Sequence, residues 1–184
     1  QNGGSIAGMG ADFRDVDNDG RPDVFVTGMV NDTFPLYRNL GRWFEDVTTA
    51  TGVARATGRV TGWSAGIFDF DNDGWPDIYV GASDYAGNHG LLYHQDSKLA
   101  FSEVPIAQGI DHHRSHGVVY ADFDGDGDLD VVVGHSRARC DANAPDDCFP
   151  TDNVRYFENV LGQGGNFIRV RLVGAAGTNR AAIG

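Results

Sequence analysis

The residues best equipped for chemistry are aspartates at alternating positions. Three segments share the form D-x-D-x-D-G-x-x-D, at 15–23, 69–77 and 122–130, and together they hold thirteen of the 26 acidic residues. Carboxylates crowded in this way repel one another, and a fold tolerates them best around a cation. Ca²⁺ takes six to eight oxygen ligands, which only a tightly curled loop supplies from so few residues.

Each position in the loop then has a task. Positions one (Asp15, Asp69, Asp122), three (Asp17, Asp71, Asp124) and five (Asp19, Asp73, Asp126) turn their side chains inward together. Gly20, Gly74 and Gly127 at position six permit the sharp turn. Position seven (Arg21, Trp75, Asp128) offers its carbonyl, so its side chain is free to vary, and position nine (Asp23, Asp77, Asp130) closes the cage. The expectation is three Ca²⁺ sites, which would bring the formal net charge from −12 to −6. Oxygen-only ligation favours Ca²⁺ over zinc or copper, and the ligand count favours it over Mg²⁺. An EF-hand would need Glu at position twelve between helices, whereas Val26, Val80 and Val133 stand there in β-type runs. Simple Asp/Asn–Gly turns without metal are the plain alternative; three copies in register, each with a ninth-position Asp, argue against it.

These loops sit in a longer repeat. GMGADFRDVDNDGRPDVFVTG, GWSAGIFDFDNDGWPDIYVGA and SHGVVYADFDGDGDLDVVVGH align without gaps, and LYRNLGRWFEDVT, LLYHQDSKLAFSEVP and VRYFENV follow them. The pattern predicts an all-β chain of three four-stranded antiparallel repeats of about 54 residues (5–55, 56–108 and 109–160), the size of propeller blades. In the first repeat strands are expected at 8–13, 24–28, 36–39 and 43–47. The near-continuous apolar runs after Asp77 and Asp130 suit inner strands covered on both faces. Residues 161–184 hold an alternating strand that either ends the third blade or opens another β segment. Three blades do not close a ring, so the chain is expected to belong to a larger propeller or assembly.

Composition narrows the partners. A net charge of −12 argues against nucleic acid and anionic membrane, and no apolar run is long enough to span a bilayer. Cys140 and Cys148 lie in the loop-like stretch RARCDANAPDDCFPTDN, where a local disulfide would pin an exposed excursion and suit an oxidising compartment; two free thiols are the alternative.

The loop, with its preceding Gly and following V-x-G, resembles the FG-GAP/VCBS repeat family over residues 5–160. LYRNLGRWFEDVTTATGV and NFIRVRLVGAAGTNRAAIG are similar to the cartilage acidic protein (ASPIC/UnbV) group. The resemblance implies an extracellular or periplasmic propeller with calcium held at the fifteen positions named above.

An enzyme reading finds little support. His112 and His116 are four apart, a metal spacing that works on a helix, but their stretch leads into a strand and is expected to form a polar surface loop. His135 ends a strand. Ser64 and Ser115 have no base nearby in sequence, and no nucleophile elbow, P-loop or dinucleotide fingerprint occurs. Trp43, Trp63 and Trp75 suit blade packing more than glycan stacking. Three function classes follow: a calcium-stabilised module for adhesion or for protein or glycan binding, a structural protomer that stacks with copies of itself, and the non-catalytic part of a secreted enzyme.

Overall fold

A computed structural model describes residues 5–55, 58–140, 148–150 and 153–161. They form three antiparallel sheets, each a simple meander. The first holds β1 (Ala11–Arg14), β2 (Asp23–Val26), β3 (Leu36–Asn39) and β4 (Phe44–Asp46). The second holds β5 (Gly62–Phe68), β6 (Asp77–Ala82), β7 (Leu91–Ser97) and β8 (Ala100–Val104). The third holds β9 (Ser115–Ala121), β10 (Asp130–His135) and β11 (Asn153–Phe157). Helix is limited to two short 3-10 turns, Val53–Arg55 and Ile106–Gln108, among the described residues.

Every acidic loop is the connection between the first and second strands of its sheet. Register fixes its mouth: Arg14 pairs with Asp23, Phe68 with Asp77, and Ala121 with Asp130. The residue before position one thus faces position nine across the ladder, and the loop is clamped at both ends.

The sheets pack face to face through their first strands. Gly66 on β5 lies under Tyr120 of β9, where a Cβ would come within 2.6 Å of the ring, and Tyr120 stacks on Phe68 at 4.7 Å. One apolar cluster, with Val16, Phe25, Leu36, Ile67 and Ile78, joins the first two sheets; a second, with Tyr79, Leu92, Val131 and Val133, joins the second and third. Full burial of each such side chain contributes roughly 1.5–3 kcal/mol. Asp12 ties all three sheets, since its carboxylate accepts from the Ile67 amide and from the Tyr120 hydroxyl, both at 2.8 Å.

Several expectations need correction. The third sheet has three strands among the described residues, not four. Of the two runs expected to be covered on both faces, β6 is buried along its whole length, whereas β10 is only half-buried at Val132 and Gly134. Observed strands start or stop up to three residues away from the expected limits in the first repeat, while Leu36–Asn39 agrees. Trp43 is 62% exposed on the outer strand side and does not pack between sheets. The stretch around His112 is not a surface loop: His112, Arg114 and Ser115 are fully buried where β9 meets the second sheet, with Ser115 Oγ accepting the Ala82 amide at 3.0 Å. Cys140 and Cys148 are disulfide-bonded, with Cα atoms 6.1 Å apart. Residues 162–184, including the expected strand at 166–174, lie outside the described residues.

Candidate metal centres

The loops repeat in geometry as well as in sequence. Gly20, Gly74 and Gly127 all take the left-handed conformation (φ 86°, 96° and 102°). A second left-handed residue, at position four, is Asn18 (φ 56°), Asn72 (59°) or Gly125 (87°). Asn and Gly are the residue types that tolerate this region, so the identity of position four was a legible signal that the sequence reading passed over.

Position one organises the curl. Asp15 accepts the amides of Asp19 and Gly20 at 3.0 and 2.7 Å; Asp69 accepts those of Asp73 and Gly74 at 3.1 and 2.9 Å; Asp122 accepts Gly125 at 2.6 Å. Position five in turn accepts the amide of position seven in all three loops: Asp19 from Arg21, Asp73 from Trp75 and Asp126 from Asp128, at 3.0, 2.8 and 3.0 Å.

Carboxylate oxygens converge in each loop. Those of Asp15, Asp17 and Asp19 lie within 4.8 Å of one another, as do those of Asp122, Asp124 and Asp126. In the second loop the grouping shifts to Asp69, Asp71 and Asp77, with a neighbouring set of Asp71, Asp73 and His94. Positions one, three and five therefore meet in two loops, and position nine joins a carboxylate set in one. Among the described residues no group donates a hydrogen bond to the buried Asp17 Oδ1, which belongs to the converging set of the first loop. A buried carboxylate oxygen without a donor fits a missing cation.

Position nine has a further role. Asp23, Asp77 and Asp130 are fully buried, and both oxygens of each accept backbone amides. One comes from position two (Val16, Phe70 and Phe123, 2.9–3.1 Å) and one from the sheet's third-strand side (Asn39, Gln95 and Asn159, 2.7–2.8 Å). Burial raises Asp23 and Asp69 above the ordinary carboxylate range and pushes Asp77 up to about 7, against the backbone donors that favour its anion.

Asn39, Gln95 and Asn159 were missed in the sequence. Their side-chain amides donate to the position-eight carbonyls of Pro22, Pro76 and Leu129 at 3.0, 2.7 and 3.3 Å. Gln95 also reaches the Val16 carbonyl of the preceding loop at 3.0 Å, and Asn159 reaches that of Phe70. The available signal was an aromatic residue followed two positions on by Asn or Gln: Tyr37-Arg38-Asn39, Tyr93-His94-Gln95 and Phe157-Glu158-Asn159.

The residue between those two differs in charge from loop to loop. Arg38 Nη2 lies 2.6 Å from Asp17 Oδ2 and 3.6 Å from Asp19, Lys98 lies 3.6 Å from Asp17, and Arg21 pairs with Asp19. His94 Nε2 stands 3.0 Å from Asp71 Oδ2, and Nδ1 stands 2.9 Å from Asp96. Burial opposes its charging, but Asp96, Asp77 and Asp71 together raise its pKa. Glu158 holds the equivalent place beside the third loop.

Tandem sheets of three or four strands, each with a nine-residue acidic loop after its first strand, define a class of repeat proteins. The chain belongs to the FG-GAP-like repeat family, whose model matches residues 15–80 and 69–133. Comparison with curated proteins returns no match.

Proposed function

We propose that these repeats are consecutive blades of a calcium-binding β-propeller that works outside the cell in adhesion or in binding protein or glycan. The convergence of three carboxylates in every loop, with the buried Asp17 Oδ1 receiving no hydrogen bond among the described residues, is the observation that carries the reading. The ligands assigned are the carboxylates at positions one, three, five and nine and the carbonyls of Arg21, Trp75 and Asp128. The FG-GAP-like match, the disulfide and the lack of any described helix long and apolar enough to cross a membrane are compatible with secretion. No catalysis is assigned to the chain, and 161–184 is read as the last blade strand or the start of an ASPIC/UnbV-like segment.

Calcium titration followed by native mass spectrometry and thermal melting tests the reading. Three bound ions and a raised melting temperature are expected, since a ligand at a hundred times its Kd adds about 2.7 kcal/mol per site. A chain that melts at one temperature in calcium and in EGTA, with no ion retained, overturns it.

A second reading is a structural protomer completed by copies of itself. It draws on β11, the outer strand of the third sheet among the described residues, where Val154 is 76% exposed and Tyr156 is also exposed. Multimers or fibres by electron microscopy would favour it over the adhesion module, and a clean monomer would remove it.

A further inference from the structure

At the end of β10 the buried His135 imidazole meets the half-buried Cys140–Cys148 sulfur pair, and the buried His112 ring lies beside His135 with centroids 6.0 Å apart. Nδ1 of His112 and Nδ1 of His135 both approach the carbonyl oxygen of His113, at 2.9 and 3.2 Å. A carbonyl only accepts, so both rings hold their proton on Nδ1 and present a lone pair at Nε2. Both Nε2 atoms are buried, and no group among the described residues donates to either. Leaving such acceptors unpaired costs about 1–3 kcal/mol each, which calls for a ligand.

The surroundings favour a metal. A ring nitrogen of His135 and the sulfurs of Cys140 and Cys148 lie within 4.8 Å of one another. The ring of Phe149 stands edge-on to His112 and His135, with centroids 5.2 and 4.8 Å away, and limits water. The buried Arg114, whose Nη1 donates to the Asp84 and Arg139 carbonyls at 3.0 and 3.2 Å, also lies 3.8 Å from Cys140 Sγ, a positive charge that favours a thiolate there.

We propose that reduction of the Cys140–Cys148 bond turns this pocket into a thiolate–imidazole site for Zn²⁺, with both sulfurs and His135 as ligands and water completing the tetrahedron. Two thiolates and an imidazole suit a borderline-soft d¹⁰ ion, with bonds of about 2.0–2.3 Å. A dithiol reductant supplies two electrons and two protons, giving two Cys thiols and its own cyclic disulfide; Zn²⁺ then displaces the two thiol protons to solution. The link between Cys140 and Cys148 then passes from a covalent bond to a metal, as suits surroundings where disulfides do not survive.

The full chain, reduced with a water-soluble phosphine that becomes its oxide with oxygen taken from water, is titrated with Co²⁺ in excess calcium. One equivalent is expected to give thiolate-to-cobalt charge-transfer bands and intense tetrahedral absorption, both abolished by Zn²⁺. His135→Ala should weaken Co²⁺ binding at least tenfold. The Cys140→Ser, Cys148→Ser double variant should keep its β-type circular dichroism and show no charge transfer. Absence of charge transfer in the reduced chain, unchanged affinity in His135→Ala, or loss of the β signal on reduction would each overturn the proposal, because the site needs the folded pocket and the His135 ligand.

Discussion

The side-chain amide of Asn18 donates to the carbonyl oxygen of Gly74 at 2.9 Å, linking the fourth position of the first acidic loop to the sixth of the second. Asn72 makes the corresponding reach into the third loop, where it donates to Asp128 Oδ1 at 2.5 Å. The loops thus form a hydrogen-bonded series along one edge of the stacked sheets.

Position four serves conformation and contact together, and the two are separable. Asn72→Ala removes the bond and puts an alanine at a left-handed φ, which should cost about 2–3 kcal/mol. Asn72→Gly removes only the bond and should cost about 1 kcal/mol. Urea denaturation measures both; equal losses would mean that backbone strain plays no part.

Position nine should matter to the fold before any metal binds. Asp130→Ala leaves the part-buried amides of Phe123 and Asn159 without their acceptor, so a loss of about 1–3 kcal/mol is expected in EGTA. Asp124→Asn, exposed in the same loop, should stay within about 0.5 kcal/mol of the parent in EGTA and lower calcium affinity only. If the two variants proved equally stable without metal, the ninth carboxylate would be a ligand and nothing more.

Charge next to each loop should rank the calcium sites. The third loop has five aspartates with Glu158 nearby, the second faces His94, and the first already holds Arg38, Arg21 and Lys98 against its carboxylates. Calorimetry should find the tightest site in the third loop and the weakest in the first. Arg38→Met should raise affinity in the first loop by a few-fold to about tenfold, the effect of about 1 kcal/mol of repulsion relieved.

Calcium uptake should release protons near neutrality. Asp77 is pushed up to about 7 in the metal-free chain, mainly by burial, so it is largely protonated below that pH. A folded pKa above the unfolded value means that ionising Asp77 destabilises the metal-free fold as pH rises through 7; Ca²⁺ reverses this by favouring the anion. Titration in weak buffer at pH 6.5 should therefore acidify the solution, and affinity should grow from pH 6 to 8. Asp77→Asn should reduce both effects and leave the part that His94, beside Asp71, supplies.

His112 supplies an acid limb of opposite sign. Burial pulls its imidazole down to about 4 against an ordinary value near 6.5, so the unfolded chain binds the extra proton between those limits. Its contribution is present above pH 6.5 and falls by roughly 3 kcal/mol as pH drops to 4. The difference in denaturation free energy between the parent and His112→Phe, both oxidised, should shrink over that range, with Asp77 cancelling between them.

Short-range pattern decided much of this molecule. Alternation of Asp with small or polar residues, Gly at position six and β-branched runs behind each loop are local features, and a single strand of sequence records them. The repeat period, the strand–loop–strand units and the pairing of Cys140 with Cys148 were legible for that reason. Whatever depends on two repeats meeting was not. Arg38 could be seen only as a residue on a strand until the sheet placed it beside Asp17, and Gln95 gains its meaning from the Val16 carbonyl 79 positions earlier. His112 reads as polar and its chain neighbours as loop, yet the packing of β9 on the second sheet removes it from water. Local backbone preference is written residue by residue, whereas burial and cross-sheet hydrogen bonds arise from the stacking of sheets, so they belong to the tertiary structure alone.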